Sequence, residues 1–268
     1  MKNDASLHSL PPWMQQSIGG GIVTGSPVAL RLSLANATPQ GYVDAEVHDY
    51  ARPCAADFAW RPPVRLQLRA RASHPVAPPD VTNPDPAYLL GTAGFGFWNA
   101  PFVVAHLSTR LPDAVWFFYG GPPHRLSLVP DVPGWGWKAQ MVHAHRWGAV
   151  AAGLPTLGAV AWARVSGDTR SAARWVQRMS GARETMLMPA LTAWHDYRLD
   201  WLPDHADFFV DGLPVAHLDH PPRGPLGFIA WIDNQYAVVT PRGEFRSGIV
   251  ATGEQWLELA DVTITQIA

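Results

Sequence analysis

The sequence predicts an all-β protein, an antiparallel β-sandwich or jelly roll with one α-helical insertion. Three observations predict it. Val64 to Ala72 alternates strictly between apolar residues and Arg or Gln, as a strand does in a sheet with one wet face. Similar short runs recur along the chain, separated by loops that draw on 26 Pro and 23 Gly. Apolar residues at helical spacing break this pattern in one region, between Asp168 and Leu191.

The strands can be justified in order. Val28 to Leu34 alternates, the Asn36 to Gly41 segment turns, and Tyr42 to Tyr50 alternates again. Ser73 to Tyr88, rich in Pro, Asp and Asn, is a loop. Phe95 to Trp98 and Val115 to Tyr119 are too apolar for exposed strands and short enough for central ones. Trp137 to Trp147 sets Trp137, Met141, His143 and His145 on one face and Lys138, Gln140 and Arg146 on the other. Tyr197 to Trp201, Ala206 to Val210 and Leu213 to His217 form a meander whose last turn is Asp211-Gly212. Gly227 to Ile232 and Trp256 to Ile264 complete the set.

The helical region places Ala172, Trp175, Val176, Met179, Ala182 and Met186 on one face and Arg170, Arg174 and Arg178 on another. With the weakly charged stretch Trp147 to Ala163 it forms an insertion over residues 148–191, expected to cover part of a single domain spanning 1–268.

Composition excludes several functions. The 268 residues are 47% hydrophobic and 16% charged, which supports a real core rather than disorder. Twenty Lys and Arg against 22 Asp and Glu supply no broad positive field, so nucleic acid is not an expected partner. Cys54 stands alone, so any metal site would rest on His and carboxylates. Met1 to Gly21 lacks the apolar run of a secretory signal, which gives a cytoplasmic location as the expectation. Trp147 to Ala163 falls short of the roughly 20 residues of a bilayer span.

The run Trp194-His195-Asp196-Tyr197-Arg198-Leu199-Asp200-Trp201, then Pro203-Asp204, then Phe208-Phe209-Val210-Asp211-Gly212, resembles glycoside hydrolase family 16. That family comprises laminarinase-like members of the concanavalin A-like superfamily. Pro225 to Ala230, Trp256 to Thr263 and Gly94 to Trp98 are similar to further strands of it. The resemblance implies a concanavalin A-like jelly roll. It also implies a catalytic strand bearing acids at alternate positions, reading E-I-D-x-x-E or close to it. The matching strand here is Asp113 to Tyr119, whose would-be carboxylate positions are taken as Val115, Phe117 and Tyr119. The family's nucleophile and acid are therefore not carried over.

The remaining candidates come from other strands. Tyr42, Asp44, Glu46, His48 and Tyr50 share one strand face, which is either a solvated sheet surface or a cleft wall where Glu46 and His48 work as acid and base. Glu46, His143, His145 and Asp233 are the candidate catalytic residues. Trp98, Asn99, Trp116, Tyr119, Trp137, Trp231, Asn234, Gln235 and Tyr236 are the candidate ligand-binding residues. No metal or cofactor is assigned.

The expected function is a ligand-binding sandwich with a repurposed cleft beneath the insertion, its partner a glycan or a small molecule. One alternative is a proton-transfer enzyme, such as an isomerase, cyclase or lyase, acting on a hydrophobic small molecule. A second is an atypical carbohydrate-active hydrolase. The Arg-rich helix adds contact with a membrane surface as a lesser alternative.

Overall fold

The computed structural model describes residues 13–25, 29–52, 54–55, 57–78, 80–100, 112–129, 131–143, 181–240 and 244–267. One sheet runs in the order β1 (Met14–Ile18), β4 (Asp44–His48), β14 (Gly227–Asp233), β6 (Thr92–Trp98), β7 (Asp113–Gly120), β9 (Gly136–His143), β10 (Arg183–Met186). The second runs β13 (Leu213–Asp219), β12 (His205–Val210), β11 (His195–Trp201), β5 (Val64–Ala72), β17 (Gln255–Gln266), β3 (Ala29–Leu34), β2 (Gly21–Gly25). The chain passes repeatedly between the two, so that neighbours such as β4 and β14 or β5 and β17 are distant in sequence. A small third sheet joins β16 (Phe245–Ile249), β15 (Gln235–Val239) and β8 (Arg125–Leu126), with β8 parallel to β15.

The two large sheets stack through aromatic side chains. Phe95, Phe97 and Phe117 from the first sheet meet Tyr197, Trp201 and Phe208 from the second at centroid separations of 5.2, 5.3 and 5.1 Å. Alternation decides which residues take part, because a strand points successive side chains to opposite faces. In β5, Val64, Leu66, Leu68, Ala70 and Ala72 are buried in the core. The arginines of the same strand face outward, where Arg65 pairs with Asp200 and Arg71 with Glu258.

Two sequence expectations change here. Val115, Phe117 and Tyr119 of β7 point into the core, not into a cleft, and Tyr119 is fully buried with its hydroxyl donating to the Leu89 carbonyl. Because β7 is apolar on both faces, its parity was not readable from composition. Arg183–Met186, expected as the end of a helix, is strand β10, paired with Lys138 to Met141 of β9. Tertiary pairing overrides helical spacing at that point. The rest of the expected insertion, with Arg170, Arg174, Arg178 and His145, lies outside the described residues. No helix among the described residues is long and apolar enough to cross a membrane.

Candidate functional site

The outer face of the first sheet, walled on one side by the small third sheet, forms a trough of about 460 Å³. Its floor is aromatic. Trp116 of β7 lies 5.0 Å from Trp231 of β14, 6.1 Å from Trp98 of β6 and 5.6 Å from Phe118. Each indole N–H is already spent within the protein: Trp98 donates to the Tyr50 hydroxyl, Trp116 to Gln140 and Trp231 to Thr92. The rings are thereby fixed in orientation, and what remains for a ligand is their π-faces.

Gly94 makes this floor possible. It points outward from β6, and a Cβ there would stand 2.7 Å from the Trp231 ring and 2.4 Å from the Phe117 carbonyl oxygen. A side chain would push Trp231 off the sheet.

Three carboxylates gather at one end. Asp44 and Glu46 occupy alternate positions on β4, and β14 pairs Asp233 directly with Asp44 and Trp231 with Glu46. All three line the trough, with Tyr42 beside them. Burial raises the pKa of Asp44, and the charges of Glu46 and Asp233 raise it further, while its Oδ2 is buried without a hydrogen-bond partner. Glu46 is raised by burial and by Asp233. Asp233 is pushed up to about 6 by burial, against hydrogen bonds from the Thr92 hydroxyl and the backbone N–H groups of Gln235 and Thr92. Burial and this acidic neighbourhood also raise Tyr42 and Tyr50.

The opposite side of the trough carries neutral and compensated groups. Gln140 is held by Glu184, which also binds Lys138 at 2.6 Å. Burial lowers the Lys138 ammonium, and Glu184 draws it partly back. His124 accepts the Ala237 N–H at Nδ1, which places its proton on Nε2. That Nε2 is buried and unpartnered, and burial, with Lys138 nearby, drives the imidazole down to about 3. His124 is therefore neutral at any ordinary pH, with its Nε2 proton buried.

The expected site residues divide. Glu46, Asp233, Trp98, Trp116, Trp231, Gln235 and Tyr236 meet around the trough. Trp137 and Tyr119 do not: both are core residues on the inner parity of β9 and β7. Asn234 is fully buried and structural, accepting from Val43 N–H and donating to the Gly41 and Val250 carbonyls. Asn99 accepts the Asp113 N–H, a backbone-bracing role. His143 shares the parity of Trp137 and Met141 and pairs with Asp113, at the margin of the trough, at 2.8 Å.

Sequence reasoning named Asp44 and Lys138 on their strand faces but gave them no role, and it passed over His124. His124 follows a Gly120-Gly121-Pro122-Pro123 turn, where no periodicity signals a direction. Among the described residues, one group of donor atoms converges closely enough for a metal ion: His205, Asp207 and His217, on the other sheet.

No protein-family model and no curated protein matches the chain. Among solved structures it is similar to an endo-β-1,4-glucuronan lyase from the fungus Trichoderma reesei. The identity is 11% and the TM-score 0.49, covering 97% of this chain and 93% of that one. It is likewise similar to an immunostimulatory antigen and pseudo β-1,3-glucanase of Mycobacterium tuberculosis (11%, TM-score 0.49, covering 96% and 91%). A Bacillus licheniformis β-glucanase is a third such structure (11%, TM-score 0.46, covering 98% and 96%). At such identities the residues of this chain's own trough decide its chemistry.

Proposed function

We propose that the protein is a carbohydrate-active sandwich that binds a segment of glycan along the tryptophan floor. Asp44, Glu46 and Asp233 then supply acid–base chemistry at one end. The observation that supports this reading is the conjunction of an aromatic floor with three carboxylates of unequal acidity. Sugar rings present apolar C–H faces that stack on indoles, and their hydroxyls pair with carboxyl groups.

The division of labour follows from the environments. Asp233, whose charge is stabilised by three hydrogen bonds, is the carboxylate that ionises at neutral pH and serves as base or charge stabiliser. Asp44, buried and facing two other acids, retains its proton. Glu46, beside Trp231 in the pairing and more open than Asp44, is the proton donor nearest the floor. Pairs of carboxylates driven apart in acidity are how a protein assigns acid and base roles. These acids come from β4 and β14, whereas β7 offers the trough Ala114, Trp116 and Phe118.

The test is a panel of laminarin, other β-glucans and uronic-acid-containing glucans, measured for binding and for release of new chain ends. Trp116→Ala is expected to weaken binding by roughly tenfold. Glu46→Gln is expected to retain binding and lower turnover by roughly 10²–10⁴-fold. A wild-type protein that binds no glycan refutes the reading. A second reading, a proton-transfer enzyme for a hydrophobic small molecule, is supported by the Leu126, Leu128, Val142 and Ile229 walls. Uptake of an apolar fluorescent probe that Trp116→Ala abolishes, without glycan affinity, would favour it instead.

A further inference from the structure

The β12–β13 hairpin belongs to the sheet that does not form the trough, and β13 is that sheet's edge strand. Its register pairs His205 with Asp219 and Asp207 with His217. Cross-strand partners point to the same face, so these four side chains make a two-by-two patch on the outside of the hairpin, while Ala206, Phe208 and Leu218 face the core.

Within the patch each imidazole is held by two carboxylates, one at each nitrogen. His205 places Nδ1 2.8 Å from Asp204 and Nε2 3.3 Å from Asp207. His217 places Nδ1 2.6 Å from Asp207 and Nε2 3.4 Å from Asp219. When Asp204 and Asp219 each take one N–H, the two remaining ring nitrogens turn their lone pairs toward Asp207. One donor atom from each of His205, Asp207 and His217 then lies within 4.8 Å of the other two. Converging lone pairs and a carboxylate repel unless protons or a cation stand between them.

We propose that this patch binds a divalent transition-metal ion of the zinc class through His205 Nε2, the Asp207 carboxylate and His217 Nδ1. Asp204 and Asp219 orient the two imidazoles from behind, the arrangement that fixes tautomer and raises ligand basicity in metal sites. Ligands sharing an ion at about 2.0–2.2 Å stand up to about 4 Å apart, so small side-chain rotations close the set. Two imidazoles and one carboxylate suit zinc, cobalt, nickel or copper, and not calcium or magnesium, which take oxygen ligands. Bound there, the ion would clasp the edge strand β13 to its neighbour.

The full chain, stripped with chelator, is titrated with Zn²⁺ by calorimetry and with Co²⁺ by visible absorption. A single saturable equivalent is expected, with a Co²⁺ spectrum of low coordination number and no competition from excess Ca²⁺. Asp219→Asn should weaken it by roughly 10–100-fold, and His217→Ala and Asp207→Asn should each abolish it. The patch faces away from the core, and circular dichroism checks that each variant is folded. Absence of saturable binding in the wild type, or binding that survives both His217→Ala and Asp207→Asn, overturns the proposal.

Discussion

Replacing Asp233 by Asn separates the energetic cost of the acid cluster from its hydrogen bonds. The amide oxygen can still accept from the Thr92 hydroxyl and from the Thr92 and Gln235 N–H groups, so the fold around it is preserved. What the variant loses is ionisation. In the fold the Asp233 carboxyl is raised from 3.8 to about 6. At about 1.4 kcal/mol per tenfold change in acidity, this disfavours the ionised folded state by about 3 kcal/mol. The raised value means that the fold holds its proton more tightly than the unfolded chain. The stability this contributes is fully present below about pH 4 and is lost as pH rises toward 6. Asp233→Asn should match the wild type in urea unfolding near pH 3.5 and exceed it by up to about 3 kcal/mol at pH 7.5. Parallel pH profiles for the two proteins, or a less stable variant at pH 7.5, would show that burial of this carboxyl is not what raises it.

Two further substitutions test the packing beneath the trough. Phe117→Ala removes a fully buried ring that meets Phe95, Trp137, Tyr197 and Phe208, and chemical denaturation should register a loss of about 3–5 kcal/mol. Lys138→Met leaves the buried Glu184 carboxylate without its cation and should cost about 3–5 kcal/mol. Adding Glu184→Leu to Lys138→Met should recover most of that loss, because an apolar pair of similar volume has no charge to desolvate; denaturant midpoints of the two variants compare them directly.

The sequence made the strands legible where two faces differ in chemistry. Val64 to Ala72 alternates between core and arginine, and the structure buries the apolar half and pairs Arg65 and Arg71 with carboxylates on the other face. The strand expected over Tyr42 to Tyr50 was readable for the same reason; it is β4, and Tyr42, Asp44 and Glu46 from its polar face line the trough, whereas His48 and Tyr50 do not. Strands apolar on both faces hid their direction. In β7, Val115, Phe117 and Tyr119 look no more buried by type than Ala114, Trp116 and Phe118, so the first set was taken for the cleft. Packing against Tyr197 and Phe208 decides otherwise. Trp137 misled similarly, since a tryptophan serves a core or a binding floor equally well. Asp233 and Asn234 are adjacent and both polar, yet one lines the trough and the other is sealed among backbone groups. That difference comes from strand parity and from the loop before Val43, which local pattern does not encode.

The pairing of β4 with β14 supports the role proposed for the acid cluster. Register sets Asp44 directly opposite Asp233, and like charges at opposed positions destabilise a sheet. Burial worsens the conflict, because the Asp44 Oδ2 has no hydrogen-bond partner and all three carboxyls are raised by desolvation first. A sheet shaped only for stability would carry Asn, Thr or an apolar residue at one of these positions, as the outer face of β14 does with Ile229 and Trp231. The same protein neutralises buried charge elsewhere, pairing Lys138 with Glu184 and closing the chain of hydrogen bonds through Gln140 to Trp116. It therefore compensates its buried charges on one side of the tryptophan floor and leaves them in conflict on the other. Local violation of a rule that is kept nearby is the physical mark of a site awaiting a ligand. On the glycan-binding function proposed above, a sugar hydroxyl set between Asp44 and Asp233 would accept a hydrogen bond from the first and donate one to the second, relieving both at once.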